Sequence, residues 1–442
     1  MPSRRSAPNT SATRPSRRAG FRAFPLTGRT TPEWEGRSVR DFGLKLMKQA
    51  AATTVAVCLL ALPAGAQTLR DAVEGAWRLN PEVRSLEARR AVATAQRGAG
   101  ESLVPAAPAV TLRHTTDYLN RNVGRREYEA ELGVPLWLPG QGTATVRAAD
   151  ALLARTDAEI AARQLTIAGE VRTALWQVAL AERRAELARQ RLKVARQLEA
   201  DTQRTARAGE TSEADYQLAR AEALSVATDL RDEELALNEA RQAFRTLTGM
   251  APPKAAPEPD IGQPPLEQHP SLLAAQLGIR SAQAQRQLVD LTTRDNPEVG
   301  LMARRERDAR GERYDTIMGV SVRIPFSVDA VNAPKRAEAM SEVVRAEAEQ
   351  ANVARTVESD IQQARLAHQA ATERLAIARD RAAALKARLS NVERARRAGE
   401  ISLVEYVRAQ EAAFEADLAR ATAEVQVGAA RARLNQSLGV LP

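Results

Sequence analysis

The amino-acid sequence is written twice. Arg207-Ala208-Gly209-Glu210-Thr211-Ser212 is answered 190 residues later by Arg397-Ala398-Gly399-Glu400-Ile401-Ser402. At the same offset Asp215-Tyr216 corresponds to Glu405-Tyr406, Val134-Pro135-Leu136 to Ile324-Pro325-Phe326, and Gly249 to Gly439; Asn80-Pro81 corresponds to His269-Pro270 at 189. Landmarks that recur in one order mark a tandem duplication, so the second half must repeat the fold of the first. The two repeats are expected over residues 67–250 and 269–442, with the Pro-rich stretch 251–268 between them as an extended linker.

Each half has the same internal grammar. A first helix is expected over 69–100 and again over 269–292. A short segment with period-2 alternation follows. Ala130, Leu132, Val134 and Leu136 alternate with Glu129, Glu131 and Gly133 in one half. Tyr314, Thr316, Met318, Val320, Val322 and Ile324 alternate with Asp315, Gly319, Ser321 and Arg323 in the other. With Val110/Leu112 and Val299/Leu301 opening partner strands, each half carries a β-hairpin with one apolar face. Proline then disappears from Gly140 to Ala251 and from Lys335 to Leu441. Ile160, Ile167, Val171, Leu175 and Val178 recur at helical spacing in the first of these arms; Val353, Val357 and Ile361 do so in the second. Gly209 and Gly399 are placed where a helix C-cap glycine turns the chain. Residues 142–206 as one helix span about 95 Å, too long for an ordinary domain.

Composition agrees with long helices rather than a thick core. Ala, Glu, Leu, Lys and Arg account for 233 of 442 residues, a bias typical of coiled coils, and only 15 are aromatic. The net charge of +9 points first to nucleic acid. Residues 1–66 alone carry 11 Lys/Arg against 3 Asp/Glu, which leaves +1 for the remainder and removes that reading. Residues 1–46 read as a disordered leader or a start assigned too early. Residues 47–66 form a secretory signal peptide: Met47-Lys48, the apolar run Ala50 to Leu62, then Ala64-Gly65-Ala66 ahead of a cleavage before Gln67. Cys58, the only cysteine, sits inside that run. The mature chain therefore has no thiol for a disulfide or a metal.

With these features assembled, the chain resembles the TolC-type outer-membrane efflux proteins over essentially all of 68–440. Pro105-Ala106-Ala107-Pro108, Trp137-Leu138-Pro139-Gly140-Gln141 and Arg207 to Asp215 resemble the CzcC-like branch, which serves heavy-metal pumps. The resemblance implies a mainly α fold. Tandem long helical hairpins would form an α-barrel tunnel, and the two β-hairpins would contribute to a trimeric 12-stranded outer-membrane β-barrel. It implies a homotrimer in outer-membrane lipid with a long periplasmic extension. It further implies a periplasmic adaptor (membrane fusion) protein and an inner-membrane RND pump as partners, no nucleic acid, and passive export of divalent metal cations.

The residues show no catalytic constellation, so no enzyme and no cofactor are expected. His114, His269 and His368 are scattered and lack further ligands at metal-binding spacing, so no metal site is expected either. The tips Ala208, Gly209, Glu210, Thr211 and Ala398, Gly399, Glu400, Ile401 are candidate adaptor contacts, although plain turn chemistry accounts for the glycines equally well. Asp215 and Glu405 follow at equal distance and are candidates for a periplasmic gate of six carboxylates in a trimer. Two solvated helix acids are the competing reading. Arg408 stands where some relatives carry a second acid, which argues against a double ring. Two other functions remain open at this point: the same conduit for drugs or secreted polypeptides, and a periplasmic coiled-coil scaffold.

Overall fold

The structure is a computed structural model that describes residues 68–442; the leader, the signal peptide and Cys58 lie outside the described residues. In chain order the elements are α1 (Leu69–Leu79), α2 (Pro81–Gly100), β1 (Ala109–Thr116), β2 (Arg126–Pro135), α3 (Gln141–Arg207) and α4 (Glu213–Thr248). After the linker come α5 (Pro270–Leu291), β3 (Glu298–Arg307), β4 (Asp315–Arg323), α6 (Asp329–Arg397) and α7 (Leu403–Ser437). The long arms end at Arg207 and Arg397, in the 190-residue register of the sequence.

Three local features differ from the sequence expectation. The first helix is two helices, because Pro81 forces Asn80 into an extended conformation (ψ 122°). Asn80 Oδ1 then accepts the Glu82 N–H at 2.9 Å and caps α2. His269 does the same for α5, its Nδ1 accepting the Ser271 N–H at 3.2 Å. The second half has no counterpart of α1, only the short 3-10 turn Leu266–Gln268. Finally, α6 starts at Asp329 and contains Pro334. Pro334 is the sixth residue of the helix, so it forfeits the bond a backbone N–H there would make to the Ala330 carbonyl.

The helices form a row rather than a bundle. Beside the sheet the order is α2, α3, α5, α6; farther away it is α4, α3, α7, α6. The two 60-odd-residue arms α3 and α6 thus run the full length, while α2 and α4 follow one another along α3. Burial separates centre from edge. On α3, 21 of 67 residues are buried; on α6, 8 of 69. The edges still carry apolar side chains: Leu224 and Leu235 on α4, and Val344, Leu366 and Ile377 on α6, are all more than half exposed. Their spacings of 11 and 22 residues are about three and six turns, so each set lies on one face.

The thickest core lies at the waist. Ile167, Val171, Leu175 and Val178 of α3 pack with Ala72 and Ala76 of α1 and with Phe244 of α4. Close approach there is enforced by Gly428 of α7, where a Cβ would fall 2.1 Å from the Trp176 ring. A buried ionic clip fastens the linker and the C-terminus to this waist. Arg172, with its side chain 3% exposed, makes a two-pronged pair with Glu258, Nε and Nη2 each at 2.8 Å. Its Nη1 donates to Gln436 Oε1 (2.6 Å) and the Val440 carbonyl (2.9 Å). Asn435 Nδ2 donates to Glu258 Oε2 and to the Pro259 carbonyl.

Candidate functional site

The four strands form one antiparallel sheet in the order β1-β2-β3-β4, so the two hairpins are joined edge to edge through β2 and β3. Its register sorts the side chains. Val110, Leu132, Leu301 and Val320 lie in one row across the sheet, and Leu112, Ala130, Ala303 and Met318 in the next. Both rows are exposed: Val110 67%, Leu301 62%, Val320 68%, Met318 83%. A protomer therefore presents a bare apolar surface on one face.

The opposite face is an ion-pair lattice. Glu129, 8% exposed, lies between Arg113 (3.2 Å) and Arg304 (3.2 Å), and Arg304 also reaches Glu127 at 3.0 Å. Ser321 donates to Glu131. One face suits hydrocarbon and the other water, which is the alternation of a membrane β-barrel wall. No helix among the described residues is long and apolar enough to cross a membrane.

Trp137-Leu138-Pro139-Gly140-Gln141 is the joint between sheet and tunnel. Gly140 adopts φ 78° to begin α3. Gln141 Oε1 accepts from the Leu138 N–H (3.1 Å) and from Asn296 Nδ2 (2.6 Å), while the same Asn296 nitrogen donates to the Leu136 carbonyl. Trp137 Nε1 donates to the Ser102 carbonyl at 3.0 Å. Asn296 belongs to the second repeat, so this joint ties the two halves together.

At the far end both helical turns close in the same way. The Gly209 N–H bonds to the Ala206 carbonyl and the Glu210 N–H to that of Thr205; the Gly399 and Glu400 N–H groups bond to the Arg396 and Ala395 carbonyls. This is the Schellman closure, with the glycines at φ 78° and 81°. Nothing stands within 4 Å of a Cβ added at either glycine. Within a protomer these glycines serve the turn, not a close approach of helices. Ala208 and Ala398 are the residues before them; Thr211 Oγ1 hydrogen-bonds Thr205 Oγ1 (2.9 Å), and Ile401 is half-buried.

Asp215 and Glu405 occupy the third helical positions of α4 and α7. Ser212 and Ser402 cap these helices by accepting the Asp215 and Glu405 N–H groups at 3.1 and 3.3 Å. The Asp215 carboxylate also accepts from Ser212 Oγ (2.8 Å), whereas the exposed Glu405 makes no ion pair among the described residues. The S-x-x-D/E spacing in both repeats is a capping signature that sequence inspection passed over. The two N-terminal turns lie at one end: Leu198, Ala219 and Leu403 share a buried cluster against which Tyr406 packs.

Sequence reasoning matched Tyr216 and Tyr406 across the repeat without giving them a role. Tyr216 accepts from Gln203 Nε2 at 3.2 Å, and the Arg396 guanidinium lies 4.5 Å from the Tyr406 ring. Burial, and secondarily Glu393, raise the Tyr406 hydroxyl above its ordinary pKa, so it stays protonated. A groove of about 1000 Å³ runs from here between α3, α6 and α7, with Asp201, Lys386, Arg396, Phe414 and Arg420 among its walls.

A two-faced sheet continued by a row of long helices defines a channel-forming protein. The chain belongs to the outer membrane efflux protein family, whose pattern matches twice, over residues 73–250 and 263–440. It is accordingly an outer-membrane channel and not an enzyme. Its fold is that of a membrane protein from Pseudomonas aeruginosa (TM-score 0.69, 20% identity, 84% of this chain and 93% of that one). It is equally similar to the Campylobacter jejuni CmeC outer membrane channel (0.68, 16%, 84% and 85%) and to CusC (0.68, 15%, 84% and 92%). Among curated protein sequences none matches this chain. The remaining histidines do not converge: His114 is on β1, His269 caps α5 and His368 is on α6. Among the described residues no group of three or more His, Cys, Asp or Glu stands close enough to hold a metal ion.

Proposed function

We propose that three copies close into a continuous conduit of 12 strands and a helical tunnel, and that its cargo is a divalent heavy-metal cation. The observation that carries the conduit is the unfinished protomer: a sheet with one bare apolar face and two open edges, and a helix row with apolar side chains on both outer helices. Open sheet edges are not tolerated in lipid, and closure by neighbouring copies removes them. The same closure covers Leu224 and Leu235 on one edge and Leu366 and Ile377 on the other.

The metal reading is supported by the short CzcC-like segments at the strand–helix joint and the tips, and by the acids at the tunnel end. Asp215 and Glu405 from three copies make a ring of carboxylates that attracts cations from the periplasm. Ala208 to Thr211 and Ala398 to Ile401, with the groove above them, would receive a periplasmic adaptor, and an inner-membrane RND pump would supply the energy. Metal-sensitivity profiling of a deletion strain tests this. Loss of the gene should sensitise cells to divalent metals. Complementation by Asp215→Ala/Glu405→Ala should be weaker than by the control Glu239→Ala/Glu347→Ala. Sensitivity to drugs alone, or equal complementation by the two variants, would remove the metal assignment and the gate respectively.

A further inference from the structure

The outward face of the sheet does not remain apolar to its far end. Beyond the row Leu112, Ala130, Ala303 and Met318 comes the row His114, Tyr128, Arg305 and Thr316, and then Thr116, Arg126 and Arg307. With two residues per row, the arginines stand about 7 and 13 Å along the strands from the last apolar row. They lie at the end of the sheet opposite the helices, since the helices attach at the N-termini of β1 and β3 and the C-termini of β2 and β4.

The two faces of these same strands treat arginine differently. Inward-facing Arg113 and Arg304 are neutralised by Glu129 and Glu127, and Arg323 lies 3.7 Å from Glu298. The two outward rows contain no carboxylate at all, and among the described residues Arg126, Arg305 and Arg307 form no ion pair. The Tyr314 ring orients the Arg305 and Arg307 guanidinium groups instead. Arg305 and Arg307 lie 4.8 and 5.0 Å from the Tyr314 ring centre, and His114 stacks on Tyr128 at 4.5 Å. Arg307 Nε also donates to the Gly124 carbonyl at 3.2 Å; stacking engages the face of a guanidinium and leaves the other N–H groups free for an anion.

Uncompensated arginines immediately above a hydrocarbon-facing band call for an occupant with both an acyl chain and an anionic head. Phosphate matches the guanidinium fork better than any single-point anion. We infer that Arg126, Arg305 and Arg307, with Tyr314, bind phosphate-bearing lipid headgroups of the outer leaflet, so that each protomer anchors the barrel edge to specific lipid. The inference rests on the barrel reading above, which turns this face toward lipid. In a trimer the three triads form a ring around the mouth of the channel.

The test uses the full mature chain, assembled and purified in detergent, with diphosphoryl lipid A and phosphatidylcholine as separate probes in native mass spectrometry. Parent trimer should retain lipid A and not phosphatidylcholine, and retention should fall as salt rises. Losing charge at a lipid surface weakens binding by about fivefold per arginine, roughly a hundredfold for Arg126→Gln/Arg305→Gln/Arg307→Gln together. The inward control Arg323→Gln should retain lipid as the parent does. Should the triple variant not assemble, Arg305→Gln alone carries the comparison. Equal retention of lipid A by parent and variant, or equal retention of the two lipids by the parent, overturns the inference while leaving the barrel intact. A parent that is extracted without detergent and forms no trimer overturns the barrel reading instead.

Discussion

Replacing Arg172 with Met should be among the most damaging single changes in the chain. The guanidinium is buried and supplies four donor contacts: two to Glu258 and one each to Gln436 and the Val440 carbonyl. Without it, Glu258, whose side chain is 12% exposed, keeps only the Asn435 amide at 3.0 Å. Breaking a buried pair from one side costs about 3–5 kcal/mol, because a charge remains where little water reaches it. The reverse change, Glu258→Leu, strands the arginine and should cost a similar amount. Removing both with Arg172→Met/Glu258→Leu should recover most of the loss, since replacing a buried pair by apolar groups is often neutral. Thermal denaturation of the four proteins in detergent, read as loss of assembled trimer, gives the cycle. The released segments are specific too: residues 255–260 and 435–442 should become sensitive to protease in either single variant. If Arg172→Met melts with the parent, or if the double variant loses as much as the two singles combined, the clip does not hold the waist and this reasoning fails.

Three further outcomes follow from the geometry. Val320→Arg places a charge on the apolar face and should cost roughly 2–4 kcal/mol near mid-membrane, whereas Ser321→Arg, beside Glu131 on the other face, should assemble nearly as the parent does; equal trimer yields would contradict the assigned faces. Leu366→Glu or Ile377→Glu should leave far-UV helicity unchanged but lower the trimer fraction in analytical ultracentrifugation, because those side chains await a neighbouring copy; an unchanged trimer fraction counts against helix-edge closure. His269 is buried, which holds its imidazole below the ordinary 6.5 against the opposing pull of the Ser437 backbone and Asp360. A depressed folded-state value means that this contribution to stability is complete above about pH 6.5 and is lost as pH falls through the folded value, when Nδ1 can no longer accept the Ser271 N–H. His269→Asn, which copies the Asn80 cap of the first repeat, should flatten the melting temperature between pH 7 and 5; a slope equal to that of the parent would exclude this group.

What is local or periodic is legible in the amino-acid order alone. The 190-residue repeat, the loss of proline from the arms and the glycines at 209 and 399 determined two long helical hairpins, because helix continuation and a left-handed turn are decisions of a few neighbouring residues. Alternation determined that each half has strands with one apolar face, since strand side chains point alternately to either side whatever the partner. Asn80-Pro81 was legible as a landmark, but its consequence, two helices rather than one, required seeing Asn80 used as a cap. The repeat symmetry pairs the tip acids Asp215 and Glu405, and the S-x-x-D/E spacing in each repeat already carries their place in a helix cap. Everything that joins distant segments depends instead on how the chain packs. The pairing of β2 with β3 merges the hairpins into one sheet and sets which rows align. That register alone shows Arg113 and Arg304 matched by glutamates on one face and Arg126, Arg305 and Arg307 unmatched on the other. Likewise Arg172 reads as one more helix charge until Glu258, 86 residues away, and the C-terminal turn close around it. Burial and ion pairing are properties of three-dimensional neighbours, and a chain with this much alanine and arginine does not announce along its length which charges will meet.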